Sequence, residues 1–142
     1  MSLADRVRDL LRRPKAPELS VDDPALVVVA EAFDPAEADS AVLARSPSWV
    51  SDRQAVLRHH LLLPAGRTAE AARVLAQDGY VLREVREEAT DILVHVSRVQ
   101  LLDALHCAQE RSRMAGLAQR LGGEALGWDA LQAPAPVFDP PA

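Results

Sequence analysis

Between residues 55 and 131, the spacing of apolar positions changes from one segment to the next and marks successive elements. The apolar run "AVLRHHLLLP", ended by Pro64, and the alternating "YVLREVREE" are both typical of strands. The segment between them, "TAEAARVLAQDG", favours a helix with Thr68 as its cap and Gly79 just beyond its end. This part of the chain therefore predicts a strand, a helix and a strand in that order.

The pattern continues with a third strand in "TDILVHVSRVQLL", reached through a hairpin turn at Glu87–Asp91. Asp103 is placed to cap a second helix, which Gly122 and Gly123 end, and a short last strand is predicted at Glu124–Trp128. One side of this helix is predicted to face the core because its apolar residues recur at helical spacing: Cys107, Met114, Leu117, Ala118 and Leu121.

The order β-α-β-β-α-β predicts an α+β domain of the ferredoxin-like type over residues 55–131. In that fold four strands form an antiparallel sheet and both helices cover one face. Trp128 at the end of the last strand is expected to be buried as an anchor, although an exposed binding role is the competing interpretation.

Residues 1–54 are predicted to form a helical extension and a linker. "DDPAL" and "FDPAE" place Asp23 and Asp34 before prolines, as helix caps do, so two short helices are expected. The run "LVVVA" at residues 26–30 is also compatible with a strand, because its valines are β-branched.

The two ends of the chain lie outside this domain. The arginine-rich residues 1–20 predict an amphipathic helix, and residues 132–142, with four of the ten prolines, predict an extended tail.

Charge and composition narrow the class of protein. The formal net charge is −5, and residues 22–39 alone carry six acidic and no basic side chains. No clustered Lys/Arg surface with stacking aromatics is indicated, so neither direct nucleic-acid binding nor membrane binding is expected. A single cysteine, no secretory signal and no apolar run of about 20 residues predict a cytoplasmic protein.

Histidine is the strongest chemical signal. The open face of the sheet is predicted to be polar, and one of the adjacent His59 and His60 is expected to lie across from His95. Two imidazoles on neighbouring strands can bind a metal or move protons, but no carboxylate or cysteine accompanies them at motif spacing. We therefore predict no catalytic residue, no metal and no cofactor. The candidate polar face consists of Arg58, His59, His60 and His95.

The ending "LGGEALGW", together with "RHHLLLP", resembles the B-type regulators of ribonuclease E activity, whose members end in a Gly-Gly-Glu-Tyr-Asp-Gly-Trp pattern. Ala125 and Leu126 replace the tyrosine and aspartate of that pattern. The resemblance covers about residues 55–131. The matching positions, each a candidate for a structural or partner-binding role, are Gly122, Gly123, Glu124, Gly127 and Trp128.

The resemblance implies a ferredoxin-like regulator that inhibits or modulates a ribonuclease E-type enzyme by protein contact and has no chemistry of its own. The alternative is a small-molecule sensor or a histidine-dependent enzyme on the same fold. An open face of arginines and histidines favours the protein contact, whereas a dry pocket favours a small ligand. The sequence leaves the oligomeric state open.

Overall fold

The computed structural model describes residues 2–4 and 19–135. Within residues 19–135 the chain forms five strands and three helices, and a short 3-10 turn at Ala65–Arg67 links the second strand to the second helix. In chain order the elements are β1 (Val27–Ala32), α1 (Asp39–Ala44), β2 (Ala55–Pro64), α2 (Thr68–Ala76), β3 (Val81–Glu88), β4 (Asp91–Gln100), α3 (Ala104–Arg120) and β5 (Glu124–Gln132).

The strands form one antiparallel sheet in the order β1-β5-β2-β4-β3. The long central strands β2 and β4 pair along their whole length, from Ala55 opposite Gln100 to Pro64 opposite Asp91. The predicted α+β class with an antiparallel sheet is confirmed. The sheet has a fifth strand, β1, that the four-stranded prediction did not contain.

Strand β1 corrects the prediction of a helix after Asp23. Residues 27–32 pair with β5, from Val27 opposite Gln132 to Ala32 opposite Trp128. This pairing buries Ala30 and Ala32 in the core, so tertiary contacts outweigh the helical spacing of the apolar residues. The segment predicted as a separate helical extension therefore contributes a strand to the same sheet as residues 55–132.

The two predicted Asp-Pro helix starts are turns. Asp23 and Asp34 each accept a hydrogen bond at 2.9 Å from the amide two residues further on, which is the geometry of an Asx turn. The helix that follows begins later, at Asp39, and Glu37 pairs with Arg45. An aspartate followed by proline is compatible both with the start of a helix and with an Asx turn.

All three helices pack on one face of the sheet, and the core there has two apolar parts. In the first part, Trp128 packs against Leu57, Val42 and Cys107. In the second part, Met114 packs against apolar residues at the other end of the sheet. The second part consists of Leu61, Leu63, Ala71, Leu75, Tyr80, Val94, Val96, Met114, Leu117, Ala118 and Leu121.

The end of α3 forms the predicted glycine cap. Gly122 has φ +81°, and the amides of Gly122 and Gly123 donate to the carbonyls of Gln119 and Ala118, as in a Schellman motif. At the start of the helix, the Asp103 carboxylate accepts from the amide of His106 at 2.7 Å, which confirms that cap.

Helix α2 begins differently from the prediction. Arg67 occupies the cap position but its side chain does not cap the helix, and Thr68 lies inside the helix, where its hydroxyl contacts Glu84. The hairpin between β3 and β4 turns at Ala89 and Thr90, inside the predicted range, with Ala89 at φ 54°.

Residues 1 and 5–18 of the predicted helix and residues 136–142 of the predicted tail lie outside the described residues. Gln132, predicted as the first residue of the tail, is instead the last residue of β5. In the part of the chain that is described, no helix has the length and apolar character needed to cross a membrane.

Candidate functional site

Trp128 of the family-like motif lies in the core. Its side chain is 0% exposed, and its indole Nε1 donates to Asp39 Oδ1 at 3.0 Å. Asp39 also accepts from Arg111 of α3 at 2.9 Å, so one carboxylate links α1, α3 and β5. This position supports the anchoring role expected for Trp128 over an exposed binding role.

Two further glycines of the motif lie where no side chain fits. A Cβ on Gly123 would come within 2.1 Å of the Leu62 carbonyl, and one on Gly127 within 2.3 Å of the Ala32 carbonyl. Gly127 also has φ +148°. The two glycines therefore allow the chain between α3 and β5, and β5 itself, to lie directly against the backbones of β2 and β1.

The face of the sheet opposite the helices carries a fixed ion pair. Arg58 on β2 donates from Nε and Nη2 to the two carboxylate oxygens of Asp129 on β5, at 2.8 and 2.6 Å. His60 Nε2 lies 3.0 Å from Oδ1 of the same carboxylate. Burial favours protonation of Asp129, but His60 and Arg58 more than offset it and lower the pKa of this carboxyl.

A second row of side chains crosses the same face beside this ion pair. His60 lies directly opposite His95, with ring centroids 4.3 Å apart, and Phe33 packs on the other side of His60 at 4.9 Å. Burial, together with the nearby His60 and Arg58, lowers the pKa of His95 to about 4. His95 is therefore neutral at pH 7.

His59 does not belong to this face, contrary to the predicted group of four. Adjacent residues of a strand point to opposite sides, so His59 points toward the helices while Arg58 and His60 point away from them. Its side chain is 2% exposed and lies opposite Trp128 and Val96.

His59 instead belongs to a buried polar cluster between the two parts of the core. Its Nε2 lies 3.7 Å from Glu110 Oε2 of α3, and neither atom has a hydrogen-bond partner among the described residues, nor does the Tyr80 hydroxyl. Arg98 binds the other oxygen of Glu110 and lies 4.4 Å from the Tyr80 ring centroid. Burial opposes ionisation of Glu110, but His59, Tyr80 and Arg98 together lower its pKa.

A cavity of about 470 Å³ opens beside His59. Its walls are mainly apolar, and Arg111 and Glu124 supply the charged groups. The arginine is already bound by Asp39 and by two backbone carbonyls. The complete lining is Phe33, Pro35, His59, Arg111, Met114, Ala115, Glu124, Ala125, Leu126 and Gly127.

Cys107 is fully buried, and burial raises the pKa of its thiol to about 12, as expected for a structural cysteine. No group of three or more His, Cys, Asp or Glu side chains placed to hold a metal ion occurs among residues 2–4 and 19–135.

Sequence reasoning did not identify Asp129 and Glu110, the two buried carboxylates that hold these clusters together. The alternation of β5 places Asp129 on the face opposite Trp128, which is the signal for the first. Glu110 is three residues from Cys107 and four from Met114, so it lies on the predicted core side of α3.

Comparisons with protein-family models, with curated proteins and with solved structures find no match to this chain.

Proposed function

We propose that this protein is a cytoplasmic, non-catalytic regulator that modulates a ribonuclease E-type endoribonuclease by protein contact, without binding nucleic acid or a membrane itself. The partner is proposed from the resemblance of Gly122–Trp128 to the B-type regulators of that enzyme. The contact surface is proposed from the geometry of the sheet.

A ferredoxin-like assignment belongs to the same proposal. Strands β2 to β5 with helices α2 and α3 follow the order β-α-β-β-α-β along the chain. Both helices cover one face, and β1 adds to the sheet beside β5. We interpret β1 as an addition to a ferredoxin-like unit.

The observation that carries the proposal is the face that the helices leave open. Arg58, His60 and His95 lie on it in a fixed arrangement, held by Asp129 and by ring contacts. Polar groups that are already positioned lose little conformational freedom when a partner binds, and arginine is enriched at protein interfaces.

The test is affinity purification of the full chain from its source cell, with mass spectrometry of the bound proteins before and after nuclease treatment. A ribonuclease E-type enzyme retained after nuclease supports the proposal. Loss of that enzyme on nuclease treatment, or its absence from both samples, would reject contact with the ribonuclease. A charge reversal at an exposed position of the open face, Arg83→Glu, should reduce recovery, whereas Arg67→Glu at the start of α2 should not.

The cavity beside His59 favours a second candidate function, the sensing of a small molecule. Its volume lies within the range of ligand pockets, about 300–1,000 Å³, and one imidazole adjoins mainly apolar walls. Benzyl alcohol, whose ring and hydroxyl match these walls, should then shift the amide resonances of Ala125–Gly127, and His59→Phe should remove the effect. Unchanged resonances at millimolar probe would exclude this alternative.

A further inference from the structure

Residues 20–26 lie across part of the open face of the sheet. They form turns, with the Asp23 amide donating to the Ser20 carbonyl and the Leu26 amide to the Asp23 carbonyl. Asp22 reaches the sheet, where its carboxylate accepts from Nη2 and Nε of Arg83 at 3.0 and 3.3 Å.

This segment covers the sheet without packing closely on it. A cavity of about 340 Å³ separates Val21–Pro24 and Leu26 from the sheet. The Asp22 and Arg83 side chains are 56% and 59% exposed, so their ion pair is screened by solvent and holds the segment weakly.

The two walls of the cavity have complementary charges. The sheet contributes two arginines, Arg58 and Arg83, and both acidic groups of the lining, Asp22 and Asp23, come from the covering segment. Arg58 uses Nε and Nη2 for Asp129, and no described residue accepts from its Nη1. The sheet wall therefore offers donors that an acidic peptide can use.

We infer that the sheet face beneath residues 20–26 is a docking site for an acidic segment of a protein partner, and that Asp22 occupies part of it in the free protein. The inference rests on the proposed function, for which it names the contact surface and the chemistry of the partner. A partner segment with a carboxylate replaces Asp22 at Arg83 and displaces residues 20–26. The covering segment is thus an intramolecular competitor.

A peptide is favoured over RNA as the occupant because the natural cover of this wall is a peptide turn. The side chain of His60 is only 14% exposed and packs against both Phe33 and His95, so it offers little surface on which a base could stack.

The test uses the full chain and a fluorescent peptide that copies residues 19–26, LSVDDPAL, with LSVNNPAL as the uncharged control peptide. Asp22→Asn frees Arg83, so this variant should bind the acidic peptide at least about fivefold more tightly than the parent. It should not gain affinity for the control peptide. Asp23 stays unchanged because its side chain bonds within the turn.

Adding Arg83→Ala to Asp22→Asn should abolish the gain, whereas adding Arg67→Ala, an exposed arginine at the start of α2, should leave it intact. Asp52→Asn, at another exposed carboxylate, should produce no gain. Thermal melting checks that every variant remains folded. Equal affinity in all variants, or equal binding of the two peptides, would overturn the inference.

Two other outcomes would also reject it in favour of a different occupant. Tighter binding of decauridylate than of the acidic peptide, with the same dependence on Arg83, would assign the face to RNA. A dimer that forms only when Asp22 is intact would assign it to a second copy of this chain. Ribonuclease binding measured in parallel separates the two proposals, since peptide binding that depends on Arg83 without ribonuclease binding rejects only the proposed partner.

Discussion

His59 and His60 are adjacent on β2, and the alternation of the strand places them in different environments. His60 contributes to the open face with His95, while His59 is enclosed with Glu110 between sheet and helix. A pattern of histidines in the sequence therefore does not indicate one site, because each position must first be assigned to a face.

His95 makes stability depend on pH. Its pKa in the folded state is about 4, below the ordinary value of 6.5, so the unfolded chain binds more protons between these values. Stability from this residue is fully present above pH 6.5 and is lost as the pH falls toward 4. Allowing for solvent screening, the loss is about 1–2 kcal/mol.

Urea unfolding of the parent and of His95→Asn at pH 7 and pH 4.5 checks this prediction. The parent should lose more stability than the variant over that range. An imidazole titration by NMR that gives His95 a pKa near 6.5 would contradict the prediction, as would equal losses for the two proteins.

We predict that Trp128 affects partner binding only through the stability of the fold. Trp128→Ala should cost about 3–5 kcal/mol, because it leaves a cavity in the core and removes the indole donor to Asp39. Partner binding should weaken only in proportion to the unfolded fraction. Thermal melting and binding measured on the same variant distinguish the roles: an unchanged melting temperature with lost binding would make Trp128 a contact residue.

Substitution of Gly122 should destabilise the fold because of its backbone conformation. A Cβ there meets only Pro64, at 3.8 Å, so Gly122→Ala isolates the strain of φ +81° and should cost about 1–2 kcal/mol. Gly116 in the middle of α3 has open space around it, and Gly116→Ala should instead stabilise by about 0.5–1 kcal/mol. Denaturant unfolding that shifts both variants in the same direction would argue against this explanation.

At the scale of elements, β1 completes the first part of the core. Val29, Ala30 and Ala32 of this strand are buried with Trp128, and Arg45 after α1 donates to the Glu31 carbonyl at its outer edge. The unit predicted from residues 55–131 thus lacks one wall when it is separated from residues 27–44. The pattern that predicts the strands of this unit is local, but the stability of the unit depends on contacts with residues 27–44.

A fragment of residues 55–135 should therefore be less stable than residues 19–135 and should expose Trp128. Trp128 is the only tryptophan in the fragment, so its emission reports directly on this site. The emission should lie at longer wavelength than that of the Trp49→Phe variant of residues 19–135. Identical emission and equal melting temperatures would show that β1 is dispensable for the core.

For the whole molecule, the sequence predicted the elements between Ala55 and Trp128 because strand alternation, helix caps and glycine ends are local signals. It did not predict β1, whose valines were weighed against helical spacing and whose pairing with β5 is a long-range contact. The ion pair of Arg58 with Asp129 depends on the register of β2 and β5, which shifts between His60 and Leu61. Such a shift leaves no periodic signal in the sequence.

The measurement that tests the central claim most directly is a calorimetric titration of the full chain into a purified ribonuclease E-type enzyme that retains its non-catalytic region. We predict saturable binding for the parent, binding at least about tenfold weaker for Arg83→Glu on the open face, and unchanged binding for Arg67→Glu. If the parent does not bind, or if both variants bind as tightly as the parent, contact with this enzyme through the open face is contradicted.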